Sequence, residues 1–198
     1  MPKIPRIIHQ VWLGHDPIPR QLRLWSETIR FHHPDWQYRL WRDEDCSHLQ
    51  PLMRKCSTLA GASDVVRLHA LYACGGVYLD FDIECFKPLD PLLDVAAFGA
   101  YDGCFYEGGV YADCVGKPIM CNAVMASVPC HRWITDQLIS LPSWVRELPP
   151  WGPKLATVFL HDDVHIYPDE YFYPFRPDSD IRTPHPDSFL AHHWQKMW

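Results

Sequence analysis

Ala62-Ser63-Asp64-Val65-Val66-Arg67-Leu68-His69-Ala70-Leu71-Tyr72-Ala73-Cys74-Gly75-Gly76-Val77-Tyr78-Leu79-Asp80-Phe81-Asp82 reads as a helix, a glycine turn and a short buried strand ending in two carboxylates. Val65, Leu68 and Leu71-Tyr72 recur at helical spacing, and Ser63 stands where it can cap the helix by accepting a backbone N–H. Gly75-Gly76 ends the helix, because glycine takes φ > 0 without steric cost. Val77-Tyr78-Leu79 is apolar and rich in strand-favouring residues. Asp80 and Asp82 follow at a spacing of two, which in an extended chain sends both side chains to one face. Two such carboxylates repel unless a cation sits between them. Oxygen ligands of this kind suit Mg²⁺ or Mn²⁺, ions that also bind phosphates. Many Asp-x-Asp triplets are only solvated turns. Asp64 and Arg67 set this one apart, since they share a helix face that runs toward the same turn.

Ser63-Asp64-x-x-Arg67 followed by Gly75-Gly76-x-Tyr78-x-Asp80-x-Asp82 resembles the core of the DXD sugar transferases of glycosyltransferase family 32. Related patterns occur in α-1,4-galactosyl- and N-acetylglucosaminyltransferases and in the glucosylating clostridial toxins. The resemblance implies an α/β chain of the GT-A kind: a single domain over 1–198, with a Rossmann-like nucleotide-binding half and a mixed central sheet flanked by helices. It puts the nucleotide and donor half at 1–98, and the acceptor-side half with a metal-closing tail at 99–198.

N-terminal to the core, Ile4 to Gly14 reads as a first strand leaving at a glycine, and it resembles the family's Ile-Pro-x-Ile-Ile-His-Gln-x-Trp. Ligands of open α/β sheets bind beyond the carboxyl ends of strands, which puts Trp12 near the pocket. The resemblance makes Trp12 the platform for the nucleotide base, and His9 and Gln10 satisfy backbone and nucleotide polar groups, with no proton-transfer role for His9. Residues 19 to 31 carry a helical stripe of Leu22, Leu24-Trp25 and Ile29, broken at His33-Pro34. Trp36 to Trp41 alternates as a second strand, and Asp43-Glu44-Asp45 follows as a helix N-cap region. This is a βαβ rhythm.

C-terminal to the core, Ile83 to Leu89 is expected to continue as strand, and the Tyr-, Gly- and Asp-rich segment 101–118 to form a loop shaping the acceptor side. Cys121 to Ser127 resembles the family's Asn-Ala/Gly-x-x-Ala-Ser strand, which turns Asn122 toward the donor sugar. His131 to Ile139 reads as a helix. Trp151-Gly152-Pro153 resembles a Thr-Gly-Pro loop with Trp151 replacing Thr, and Gly152 joins the donor site by that likeness. Thr157 to Leu160 is read as the start of another element, Val164 to Tyr167 as a late strand, and Tyr171-Phe172-Tyr173-Pro174 as packing. The tail is similar to a His-x-Trp-x-x-Ser-Trp ending, with His192, Trp194 and Trp198 in the matching places and Met197 for Ser. The resemblance makes His192 the third metal ligand, with His193 as the alternative, and Trp198 a donor contact. Neutral imidazole suits Mn²⁺.

The bulk properties narrow the classes. The 198 residues fit one domain, with hydrophobic content of 47% and charged content of 21%. A net charge of −6 with no basic block argues against a nucleic-acid partner. No apolar run reaches the roughly 18 residues of a membrane span. The start of the sequence lacks the apolar core of a signal peptide, and the 8 cysteines include no Cys-x-x-Cys pair, so a cytoplasmic location with buried free thiols is expected. A zinc site among Cys104, Cys114, Cys121 and Cys130 ranks below free thiols.

The chemistry follows from the donor. Cleaving a sugar–diphosphate bond leaves the diphosphate more negative, and a divalent cation, Mn²⁺ or Mg²⁺, stabilises that charge. Asp82 is the main metal ligand, and Asp80 contacts ribose and metal. Asp64 and Arg67 grip sugar hydroxyls or phosphate, with Ser63, Gly76 and Tyr78 around them. The resemblance implies retaining transfer of a hexose or N-acetylhexosamine from a UDP- or GDP-sugar to a glycan, lipid-linked saccharide or protein. No residue is named as covalent nucleophile. Two rival readings are a non-catalytic sugar-nucleotide- or glycan-binding protein and a HAD-like phosphohydrolase using His161-Asp162-Asp163. The second is disfavoured because that fold expects a small turn directly after the Asp-x-Asp.

Overall fold

The glycine turn sits at the middle of the molecule. The computed structural model describes residues 3–103, 118–145, 151–176, 180 and 182–195. Its strands are β1 (Ile7–Val11), β2 (Gln37–Trp41), β3 (Gly76–Leu79), β4 (Ile83–Cys85), β5 (Ala97–Gly99), β6 (Val124–Ser127), β7 (Val164–Ile166) and β8 (Leu190–His192). The helices are α1 (Arg20–His32), α2 (Gln50–Met53), α3 (Leu59–Cys74), α4 (Arg132–Trp144) and α5 (Trp151–Val158). Six strands form one mixed sheet in the order β2-β1-β3-β6-β5-β7. β1 runs parallel to β2 and β3, and β6 runs antiparallel to β3 and β5. β4 and β8 pair apart from it as a two-stranded ribbon. Among the described residues, no helix is long and apolar enough to cross a membrane.

Period-two alternation gives the sheet two buried faces. Tyr78 and Met125 pack on one side with Leu68, Leu71, Trp133 and Leu155 of α3, α4 and α5. Val77, Leu79, Val124 and Ala126 pack on the other with Ile29 of α1, Ile83 of β4 and Leu190 of β8. The expected α/β class, mixed sheet and βαβ opening are all present.

Several expected boundaries differ. Ser63 does not cap α3. The helix begins four residues earlier, where Thr58 accepts the Gly61 N–H at 3.1 Å, and Ser63 lies buried within it. β4 stops at Cys85 rather than running to Leu89, because its partner is the short β8 ribbon. The Trp151-Gly152-Pro153 segment opens α5 instead of forming a loop, so Thr157 stands near the end of an element and not at its start. Ile139 of the α4 stripe faces outward at 74% exposure. Cys46, Cys56, Cys74, Cys85, Cys121 and Cys130 are free thiols, as expected, but only Cys46, Cys85 and Cys121 are buried, and Cys130 is exposed; Cys104, Cys114 and most of 101–118 lie outside the described residues.

Two residues lock the turn from beneath. Gly76 has φ +101°, and a Cβ there would sit 2.5 Å from the Ile7 carbonyl oxygen, so neighbouring-strand contact fixes this residue as glycine. His9 is fully buried, and its ring spans the same joint. Its Nδ1 accepts from Trp41 Nε1–H at 3.1 Å, which leaves Nε2–H to donate to the Gly75 carbonyl at 2.8 Å. Burial lowers its pKa to about 4, against the upward pull of the Gly75 carbonyl.

That histidine makes stability depend on pH with a definite sign. Its folded pKa lies below the ordinary 6.5, so its contribution is complete above that value and is lost as pH falls from 6.5 toward 4. Urea denaturation at about pH 7.5 and about pH 5 is expected to show wild type losing ~2 kcal/mol more than His9→Gln between the two conditions. Equal losses would mean that His9 is not held neutral.

Candidate active site

Each element delivers its functional side chains to the carboxyl end of β3. One turn of α3 presents Ser63, Asp64 and Arg67 to a cleft, and Tyr78 and Asp80 enter it from β3 and the residue that follows. Asp82 does not arrive along an extended strand, as the spacing suggested. Asp80 to Ile83 form a tight turn closed by the Ile83 N–H to the Asp80 carbonyl at 3.3 Å, and this turn swings Asp82 back toward Asp80. The β4–β8 register sets Ile83 opposite His192, so the tail strand brings that imidazole to the turn. His192 Nε2 lies 3.2 Å from Asp82 Oδ2.

Arg67 is the hub of the buried charge. Its Nη2 lies 2.9 Å from Asp64 Oδ1 and 3.2 Å from Asp80 Oδ1. Its Nη1 donates to the Asn122 carbonyl, and its guanidinium stands 4.3 Å from the Tyr78 ring centroid. Asn122 Nδ2 donates to Asp64 Oδ1 at 2.8 Å, and Tyr78 Oη donates to Asp80 Oδ1 at 2.6 Å. Burial lifts the Asp64 carboxyl to about 6 and raises that of Asp80, in both cases against Arg67. Asp82 behaves oppositely. Burial pushes its carboxyl up, but the His192 charge and hydrogen bonds, including the Gln195 N–H at 2.8 Å, hold it below the usual range. Asp82 in turn holds His192 protonated up to about 10, although burial works the other way.

The residues fit a divalent cation. Asp80, Asp82 and His192 each offer one ligand atom, and all three atoms lie within 4.8 Å of one another. Two carboxylate oxygens and an imidazole nitrogen form a donor set that Mn²⁺ accepts. His193 points elsewhere. It pairs with Glu84 at 2.9 Å and stacks on Trp25 at 3.9 Å, so of the two tail histidines only His192 joins the group.

The remaining expected donor residues divide. Trp12 lines the cleft with its Nε1–H held by the Asp16 carbonyl at 2.8 Å, edge-on to Phe81. Gly152 lies behind Asp64: a Cβ there would meet Asp64 Oδ2 at 2.5 Å, so glycine lets α5 close over the charge cluster. His9 and Gly76 do not line the cleft, and their contacts are to the protein itself. Gln10 is fully buried and acts through the backbone. Ser26 and Tyr38 hydroxyls both donate to its Oε1 at 2.7 Å, which turns its Nε2 onto the Asp80 carbonyl at 3.2 Å. Trp198 lies outside the described residues. Sequence reasoning missed Gln195, whose backbone caps Asp82 and whose side chain lines the cleft. The signal sits at Trp194, whose φ of +54° bends the chain there, and no residue type announces it.

Residues 19–98 match the family model of the glycosyltransferase sugar-binding region containing the DXD motif. Inositol phosphoceramide mannosyltransferase 1 of Schizosaccharomyces pombe is 41% identical over 112 residues, covering 50% of this chain and 34% of that protein. Mannosyl phosphorylinositol ceramide synthase CSH1 of Saccharomyces cerevisiae is 35% identical over 151 residues, covering 72% of this chain and 36% of that protein. The chain therefore spans about a third of the length of these curated relatives. Among solved structures, the galactosyltransferase LgtC in complex with donor and acceptor sugar analogues aligns with a TM-score of 0.59 at 11% identity, covering 96% of this chain and 87% of that one. The PaToxG glycosyltransferase aligns with a TM-score of 0.58 at 16% identity, covering 79% and 69%. These likenesses show that the fold is of the GT-A kind.

Removing Arg67 leaves the buried Asp64 carboxylate and the half-buried Asp80 carboxylate without their cation. Arg67→Ala is expected to cost about 3–5 kcal/mol in urea denaturation. A second change, Asp64→Asn, is expected to return part of that loss. An Arg67→Ala protein as stable as wild type would show that the cluster carries no net charge in the fold.

Proposed function

We propose that the chain, whose residues 19–98 match the glycosyltransferase sugar-binding region containing the DXD motif, transfers a hexose from a UDP- or GDP-sugar to an acceptor hydroxyl with retention at the anomeric carbon. One observation carries this reading: Asp80 and Asp82 line one cleft with the Asp64–Arg67 pair, and His192 converges on those two carboxylates. That arrangement sets a cation-binding group for a diphosphate next to charged hydrogen-bonding groups for a sugar. The HAD-like rival does not account for both halves, and donor turnover separates the transferase from a protein that only binds the sugar nucleotide. Strand β4 begins at Ile83, directly after Asp82, where the HAD scheme expects a small turn, and that scheme also leaves the Asp64–Arg67 pair without a task.

Asp80, Asp82 and His192 would hold a divalent cation, which would supply Lewis-acid stabilisation of the departing diphosphate's charge. The protein's own groups do the rest. Asp64, locked by Arg67 and Asn122, presents a carboxylate edge to sugar hydroxyls, and charge-assisted bonds of this kind orient the anomeric carbon. Tyr78 and Gln10 fix the carboxylate and the carbonyl of Asp80. Trp12 forms an apolar wall for the base. The bond from the anomeric carbon to the diphosphate breaks as the bond to the acceptor oxygen forms, and the acceptor proton passes to the leaving phosphate. No protein base is required on that route.

Mannose is the first donor sugar to examine, and an inositol phospholipid the first acceptor, because the relatives bear the names of inositol phosphoceramide mannosyltransferases.

The test uses UDP- and GDP-hexoses with Mn²⁺, and measures nucleoside diphosphate release with and without inositol phospholipid vesicles. One donor is expected to turn over, with Asp82→Ala lower by on the order of 100-fold. Failure of every donor to be hydrolysed, transferred or bound with Mn²⁺ would remove this assignment of the cleft.

A further inference from the structure

His48 and His69 lie outside the cleft and have no part in the chemistry above. His69 is on α3, two residues beyond Arg67, a step that turns the side chain to the far side of the helix. His48 sits near the end of the 3-10 turn Asp43–Leu49. Their Nε2 atoms face each other at 2.9 Å, and the ring centroids are 4.6 Å apart. Two imidazoles meeting head-on with that nitrogen separation would hold their centroids farther apart, so the rings, whose planes stand 60° apart, are tilted out of line. A nitrogen separation of 2.9 Å is one that a single ion at the Zn–N bond length of about 2.0–2.1 Å can span.

We propose that His48 and His69 form a two-imidazole clip for a late first-row transition-metal ion, Zn²⁺, Ni²⁺ or Cu²⁺, with water filling the remaining positions. All-nitrogen donors suit these ions. The oxygen-rich Asp80, Asp82 and His192 group suits Mn²⁺ or Mg²⁺, so the two sites separate by chemistry. His48 is exposed and His69 half-buried, which opens the point between them to solvent. The His69 ring is held from behind, edge-on to the buried Trp41 ring at 6.4 Å, and Trp41 carries the Arg39 guanidinium at 3.8 Å. Arg39 opposes an incoming cation, and Asp43-Glu44-Asp45 at the start of the same turn supply the opposite charge. Burial, then His48, then Arg39 lower the His69 pKa, which keeps that ring in the neutral form a metal needs. The ion takes the place of the proton the two nitrogens otherwise share, and it ties the Asp43–Leu49 turn to α3.

The experiment titrates Ni²⁺ and Zn²⁺ by calorimetry into wild type, His48→Gln, His69→Gln and Asp82→Ala, with circular dichroism as the check on folding. Cu²⁺ electron paramagnetic resonance counts the coordinated nitrogens. The clip predicts that either glutamine variant weakens Ni²⁺ binding by about tenfold or more, the scale on which loss of even a supporting group weakens a metal site. Asp82→Ala retains that binding, and the Cu²⁺ signal falls from two imidazole nitrogens to one in each glutamine variant. Equal Ni²⁺ affinity in wild type and both glutamine variants would overturn the clip. So would loss of Ni²⁺ binding in Asp82→Ala alone, which would assign the ion to the other site and leave the transferase reading intact.

Discussion

Buried negative charge governs this structure. Asp64, Asp80 and Asp82 meet within one cleft, and carboxylates removed from water are tolerated only when opposite charge and hydrogen bonds replace the missing hydration. Arg67 answers Asp64 and Asp80, and His192 answers Asp82. Those two cations come from distant parts of the chain, one from α3 and one from the last described strand. The carboxylates therefore organise the packing of both: α3 must lie with its Arg67 face against β3, and β8 must pair with β4. The same arrangement leaves the site incompletely satisfied. Ser63 Oγ and Arg67 Nε are buried with no hydrogen-bond partner among the described residues, beside a cleft that opens to solvent. Unmet polar groups beside a compensated cluster are what a polar substrate finds when it binds.

How much of this was legible in the sequence depends on the range of the interaction that fixes each part. The α3–glycine–β3 unit was legible, because a helical stripe, two glycines and three strand formers are local signals. The pairing of Asp64 with Arg67 was legible from helix geometry. The convergence of Asp80 and Asp82 was expected for the wrong reason: a spacing of two is decisive only in an extended chain, and here a turn does the work. The N-cap at Thr58 was missed because Ser63 stood closer to the apolar stripe, although the cap is itself a local bond, from the Gly61 N–H to the Thr58 hydroxyl. His9 and Gly76 were assigned to the donor from a motif, whereas the folded chain uses them to join β1 to the turn. Gln10 lies between these cases, since it reaches the Asp80 carbonyl but not the cleft surface. Motif residues can serve a site by holding its walls, and sequence alone does not separate the wall from the surface.

The replacement of Thr by Trp151 shows how packing settles such a question. Trp151 is buried, and its indole is the nearest side chain that a Cβ on Gly61 would meet after Cys56, at 3.4 Å. It wedges the start of α5 against the start of α3, with Gly61 giving it room. The next residue, Gly152, then passes so close to Asp64 and Asn122 that no side chain fits. A bulky anchor followed by a glycine is thus a device for laying one helix across a charged cluster without filling it. An indole stands here in place of a threonine hydroxyl, and it serves the site by its bulk and position.

The cation group has a consequence for how the molecule is assembled. Asp80 and Asp82 stand two residues apart, but His192 is separated from them by more than half the chain and reaches them only through the β4–β8 ribbon. A ribbon with only three register pairs is marginal on backbone hydrogen bonds alone. What holds it is burial of Leu190 and Ala191, the His193 and Gln195 backbone bonds onto Asp82, and the Asp82–His192 pair itself. The last described stretch of the chain is therefore docked largely onto one carboxylate. A cation shared by Asp80, Asp82 and His192 would draw on the same side chains, so binding it and seating the tail are one equilibrium rather than two. In this architecture the site's final wall is in place only when the carboxylate at its centre is occupied, by imidazolium or by a metal ion.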